Sequence, residues 1–119
     1  MTTMATFDTT ALRTAIETRD ADGQLAGYAP NAELTIVDRD HQPSQPTVLR
    51  GIEQIGDYLR DVCARDMTHK VADLVVGSDR IAFLQHCHYA DGTRVLCSTV
   101  AEIADGLITR QTAVQAWDA

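Results

Sequence analysis

Two Asp-Gly dipeptides, Asp91-Gly92 and Asp105-Gly106, divide the last third of the chain into three runs, IAFLQHCHY, TRVLCSTVAEI and LITRQTAVQAW. Asp-Gly between alternating residues is a strong hairpin signal, because glycine readily takes the positive φ that tight turns require. The stretch from Arg80 to Trp117 therefore reads as a meander of long antiparallel strands. A meander has two faces, and the side chains that alternate onto the buried one decide what the chain can do.

The preceding residues supply helices. Asp8 is placed to cap a first helix over residues 9–19, with Leu12, Ala15, Ile16 and Arg19 at helical spacing. Asp20 opens a shorter helical segment over residues 21–29, which Pro30-Asn31 ends before a strand at 33–38. Residues 39–47 hold two prolines without periodicity and read as a loop. Ile52, Ile55, Leu59 and Val62 then form one apolar helical stripe, and residues 68–77 form another strand. Helices, a strand, a helix and a long antiparallel run specify an α+β fold in which the helices cover one face of a curved sheet.

At 119 residues the chain reads as a single domain spanning 1–119. Its net charge of −7 argues against a nucleic-acid partner or an anionic membrane surface, both of which require a basic patch. The start MTTMATFDTT lacks a cationic and apolar leader, and no run approaches about 18 apolar residues, so a cytoplasmic location without membrane insertion is expected. Cys63, Cys87 and Cys97 are an odd set without CxxC spacing, which suits a reducing compartment.

The order of elements, the phrase RDADGQLAGYAPNAEL, the helix GIEQIGDYL and the ending ADGLITRQTAVQAWD resemble the nuclear transport factor 2-like superfamily, in its polyketide-cyclase-like (SnoaL-like) branch. The resemblance covers nearly the whole chain. It implies a cone-shaped curved sheet, mixed or antiparallel, with three helices on its concave side around an apolar cavity. It also implies a homodimer through the outer sheet face, where Arg94, Arg110 and Glu102 would form reciprocal pairs. It leaves the activity open, because the superfamily includes isomerases, dehydratases, cyclases, epoxide hydrolases and non-catalytic scaffolds.

Cavity-facing residues follow from strand register. A two-residue turn at Asp91-Gly92 would pair His88 with Val95, His86 with Cys97, Leu84 with Thr99 and Ala82 with Ala101. A three-residue loop at Ala104-Asp105-Gly106 would pair Ala101 with Thr109, Thr99 with Gln111, Cys97 with Ala113 and Val95 with Gln115. The expected inner face thus carries His86, His88, Cys97, Thr99, Gln111 and Gln115, and Arg94, Ser98, Glu102, Arg110 and Thr112 lie outside. A one-residue slip would put Gln85, Cys87 and Tyr89 inside instead.

The resemblance also locates family chemistry. The acid and donor positions of ketosteroid isomerase-like enzymes fall on Leu12, Ile36 and Ala101, and the carboxylate of epoxide hydrolase- and cyclase-like enzymes falls near Ala113, all apolar. Scytalone dehydratase-like members match better. His69 and His86 occupy their histidine positions, Glu17 or Asp20 is the matching carboxylate, and Tyr28 a donor, although Ile36 or Val37 stands where they carry a strand tyrosine. A histidine base held in one tautomer by a carboxylate suits proton transfer.

The expected catalytic set is therefore His69, His86 and Glu17, with Tyr28, His88, Cys97, Thr99, Gln111 and Gln115 contacting substrate. Each has a plainer alternative: solvent-exposed histidines, a buried inert Cys97, a surface charge at Glu17, a solvated turn at Asp38. His69, His86 and His88 could also supply three zinc ligands, but no anchored carboxylate supports this, and neither metal nor other cofactor is expected. Two functions follow: a cofactor-independent enzyme that dehydrates, isomerises or cyclises a small apolar, polyketide- or terpenoid-like carbonyl compound, or a non-catalytic ligand-binding or dimerising module.

Overall fold

The computed structural model describes residues 6–119. Asp8 and Asp20 cap helices α1 (Thr9–Glu17) and α2 (Ala21–Leu25), their side chains accepting from Ala11 N and Gly23 N at 2.9 Å each. At Gly23 a Cβ would stand 2.4 Å from Asp20 Oδ2, so a larger residue there would have to displace the capping carboxylate. α2 is shorter than expected because strand β1 (Tyr28–Val37) already begins at Tyr28. Pro30 lies in an interruption of its pairing between Tyr28 and Glu33, where a missing N–H costs no ladder bond.

A short strand β2 (Thr47–Arg50) follows the proline-containing loop, where only loop was expected, and pairs antiparallel with β1. Gly51 turns the chain at φ 80° into α3 (Gly51–Ala64), then come β3 (Met67–Val76), β4 (Arg80–Tyr89), β5 (Arg94–Ala104) and β6 (Leu107–Trp117). The six strands form one curved, unclosed sheet in the order β2-β1-β6-β5-β4-β3, and β1 runs parallel to β6 while the other neighbours are antiparallel. Leu12 and Ile16 of α1 and Ile55 and Leu59 of α3 join Leu34, Ile36, Ile81, Phe83 and Ile108 of the sheet in one core. The mixed α+β architecture with three helices is the expected one.

The two turns exchange the geometries expected of them. At the first, Tyr89 N donates to Thr93 O (2.9 Å), Gly92 N to Tyr89 O (3.0 Å), and Gly92 alone is left-handed at φ 94°, so the loop has three residues. At the second, Asp105 (φ 53°) and Gly106 (φ 76°) are both left-handed and Ala104 pairs directly with Leu107, a two-residue primed turn. The first change moves β4 by one residue: Cys87 opposes Val95, Gln85 opposes Cys97 and Phe83 opposes Thr99. His86 and His88 therefore point to the outer face, which corrects the expected register. A bulge on β6, with Thr109 the extra residue opposite the Glu102–Ile103 step of β5, leaves Ala101 opposite Gln111, Thr99 opposite Ala113, and Cys97 opposite Gln115. That displacement is two residues, so the inner face of β5 and β6 is the expected one.

Candidate functional site

A cavity of about 90 Å³ lies between the helices and the concave face of the sheet. Leu34 and Ile36 of β1, Phe83 of β4 and Ile108 of β6 form apolar wall, and polar groups are set into it singly.

Of the expected site residues, Tyr28, His69, Cys97, Thr99, Gln111 and Gln115 line the cavity. His86, His88 and Glu17 do not. The two β4 histidines lie exposed beside Thr68 and Lys70 of β3. Glu17, on the solvent side of α1, accepts from the backbone N–H of Val71 at 2.9 Å and so occupies a donor of edge strand β3. Asp20 is engaged in capping α2. Asp38 holds Asp40 N and His41 Nδ1, each at 2.9 Å; burial pushes its carboxyl up, but these hydrogen bonds outweigh that and leave it below the usual range. Among the described residues no three His, Cys, Asp or Glu side chains converge as a metal-binding group.

His69 is the histidine of the cavity. Its Nδ1 lies 3.2 Å from Cys87 Sγ, and its Nε2 is buried without a hydrogen-bond partner. The thiol–imidazole neighbours are thus Cys87 and His69, where Cys97 and His86 were expected to face each other. Desolvation, with Arg19 and Arg65 nearby, lowers the His69 pKa from 6.5 and favours the neutral ring. Burial, with Cys97 adding, pushes the Cys87 thiol up to about 12, so it is a hydrogen-bonding neighbour rather than a thiolate nucleophile.

Two tyrosines face the same space. Tyr28 donates its hydroxyl to Gln111 Oε1 deep in the fold, and burial raises its pKa well above the ordinary 10.0. Tyr58 of α3 accepts from Gln115 Nε2 at 3.4 Å, while Gln115 Oε1 accepts from Trp117 Nε1 at 3.0 Å. Desolvation is the main reason Tyr58 is pushed up to about 12. Tyr58 and Arg65 were not among the expected cavity residues, and Cys87 was expected inside only with a one-residue slip. Tyr58 follows Ile55 by three positions and adjoins Leu59, so it lies on the buried side of the same helical stripe, a signal available in the spacing. Arg65, at the end of α3, is held by Asp61 Oδ2 (2.7 Å) and donates to Tyr89 Oη (2.9 Å). No Asp or Glu is among the described residues that line the cavity.

Comparison with known proteins agrees with this architecture. Residues 9–111 match the family described as the SnoaL-like domain. No curated protein sequence matches significantly. A candidate ketosteroid isomerase from Kribbella flavida superposes with a TM-score of 0.76 at 16% identity, covering 93% of this chain and 76% of that one. A nuclear transport factor 2-like protein of unknown function from Mesorhizobium loti gives 0.79 at 12% identity, covering 91% and 87%. A candidate polyketide cyclase from Sinorhizobium meliloti gives 0.67 at 18% identity, covering 88% and 91%. These identities establish a shared fold and leave the chemistry to the cavity itself.

Proposed function

The chain belongs to the SnoaL-like domain family, and from that premise we propose that it is a cofactor-independent enzyme moving a proton next to the carbonyl of a small, largely apolar compound. The observation that carries this reading is His69 Nε2, buried and unpartnered on the wall of a cavity with no carboxylate among its described lining residues. In the tautomer whose Nδ1–H donates to Cys87 Sγ, Nε2 presents a lone pair. It takes the α-proton as the ligand becomes an enol or enolate, then returns it to another position or to a leaving hydroxyl. Isomerisation, cyclisation and dehydration share that first step. The cavity volume favours a compound of about one ring within the polyketide- or terpenoid-like class.

In this reading His69 is the base inside the cavity, whereas Glu17, His86 and His88 border a separate open groove at edge strand β3 that His69 also lines. The test is deuterium uptake next to the carbonyl of a cyclic ketone in D₂O, followed by NMR. The protein should accelerate uptake, and His69→Gln should slow it by about 10²- to 10⁴-fold. Equal rates in both proteins would remove the assignment.

The missing carboxylate favours a second reading, a binding module that orients a ligand without turning it over. In that case a ketone would bind but exchange at the solution rate. For either reading we take a second copy of the chain, docked on the outer sheet face, as the natural partner.

A further inference from the structure

The polarity of one hydrogen-bond chain in the cavity is fixed by chemistry alone. Trp117 Nε1–H is only a donor, so the Gln115 atom 3.0 Å from it is the carbonyl oxygen. That assigns the other end of the amide as Nε2, also only a donor, and Tyr58 Oη must accept it at 3.4 Å. The phenolic proton is then directed away from Gln115, and no acceptor for it is found among the described residues. Tyr58 lines the cavity, so its proton is available to whatever enters.

Outside the cavity the chain continues one step further. Arg39, in the loop after β1, sits with its guanidinium carbon 4.3 Å from the centre of the Trp117 ring. A cation over the indole draws electron density from it and strengthens N–H donation, and successive hydrogen bonds polarise one another. The Tyr28 hydroxyl, by contrast, already donates to Gln111 Oε1 and has no proton left for a ligand.

We infer that Tyr58 is the carbonyl-binding donor of the site, with Gln115 and Trp117 as positioning residues that turn its hydroxyl proton toward the ligand oxygen. This rests on the reading that the cavity takes a carbonyl compound, and adds which group holds the oxygen. The phenol polarises C=O while staying protonated, and as negative charge develops on that oxygen the hydrogen bond strengthens without proton transfer from the ring.

The experiment uses cyclohexanone as the probe and methylenecyclohexane as its acceptor-free counterpart. The C=O stretch of bound cyclohexanone should move to lower wavenumber in the wild type, and the ketone should bind about tenfold more tightly than the hydrocarbon. Tyr58→Phe should abolish both effects, and Gln115→Met should reduce the stretch shift with Tyr58 still present. The single indole N–H resonance, from Trp117, should move on ketone binding in the wild type but stay unmoved in Gln115→Met. That resonance also reports whether each variant is folded.

His69→Gln separates this inference from the proton-transfer reading, because it should lose deuterium uptake while keeping the stretch shift. A wild-type shift without any uptake would end the catalytic reading and leave the Tyr58 assignment standing. An unshifted wild-type stretch, or a shift that survives Tyr58→Phe in a folded protein, would overturn the assignment.

Discussion

Tyr28 and Gln111 illustrate how a residue of the cavity is tied to stability. Both are buried, at 8% and 7% exposure, and Gln111 Oε1 has the Tyr28 hydroxyl as its partner. Tyr28→Phe removes the donor and leaves a buried carbonyl oxygen unpaired, a loss of about 1–3 kcal/mol measurable by urea unfolding. Gln111→Leu in the same background should recover part of that loss, because two apolar groups then face each other. His69 ties stability to pH. Its folded pKa is lowered from 6.5, mainly by desolvation, so below 6.5 the unfolded chain binds the proton more readily than the native one. The contribution of the neutral ring is complete above that value and is lost as pH falls through the window beneath it. His69→Gln should therefore flatten the pH dependence of unfolding free energy below about pH 6.5, with little change in slope above.

At the scale of elements, one turn decides which histidine meets the cavity. Gly92 holds φ 94° and a Cβ there would meet nothing within 4 Å, so replacing it tests backbone conformation alone. Gly92→Ala should cost about 1–2 kcal/mol in chemical unfolding, and Gly92→Asn less, because asparagine tolerates the left-handed region. The same dipeptide shows how far the sequence could be read. Helix caps at Asp8 and Asp20, the core faces of α1 and α3 and the existence of each meander strand were legible, because each rests on spacing or on a single side-chain donor or acceptor. The face of β4 was not. Asp-Gly serves both the two-residue primed turn and the three-residue loop, and these differ by one residue, which carries His86 and His88 outward and Gln85 and Cys87 inward. Glu17 was illegible for another reason: its partner is the Val71 backbone N–H, a long-range contact with no side-chain signature. Since it shields an edge strand, Glu17→Ala should lower stability by about 1 kcal/mol and leave deuterium uptake unchanged. A matching loss of uptake would return it to the catalytic set.

For the whole molecule, helices cover the concave side of the sheet, and the described residues leave its convex side open. Leu96, Val100 and Val114 remain 41%, 49% and 47% exposed on that outer face. Register places Val114 beside Ser98 and Leu84, and Leu96 between Ala116 and His86, so apolar groups run across β6, β5 and β4. Val100 is flanked in register by Ala82 and Thr112. Around this strip Arg94 and Arg110 stand with Glu102, which pairs with Arg80 at 3.1 Å. In the proposed dimer, a two-fold rotation would bring strip against strip and allow Arg110 of each copy to meet Glu102 of the other. This is the face on which the second copy proposed above would dock. Sedimentation should show a dimer at micromolar concentration. Val100→Glu, which brings two carboxylates together at an apolar contact, should shift it to monomer while leaving the Tyr28–Gln111 pair and the cavity on the opposite face intact. Because like charges at such a contact cost several kcal/mol, the dissociation constant should rise by at least about a hundredfold. A wild-type chain that sediments as a monomer would remove the dimer.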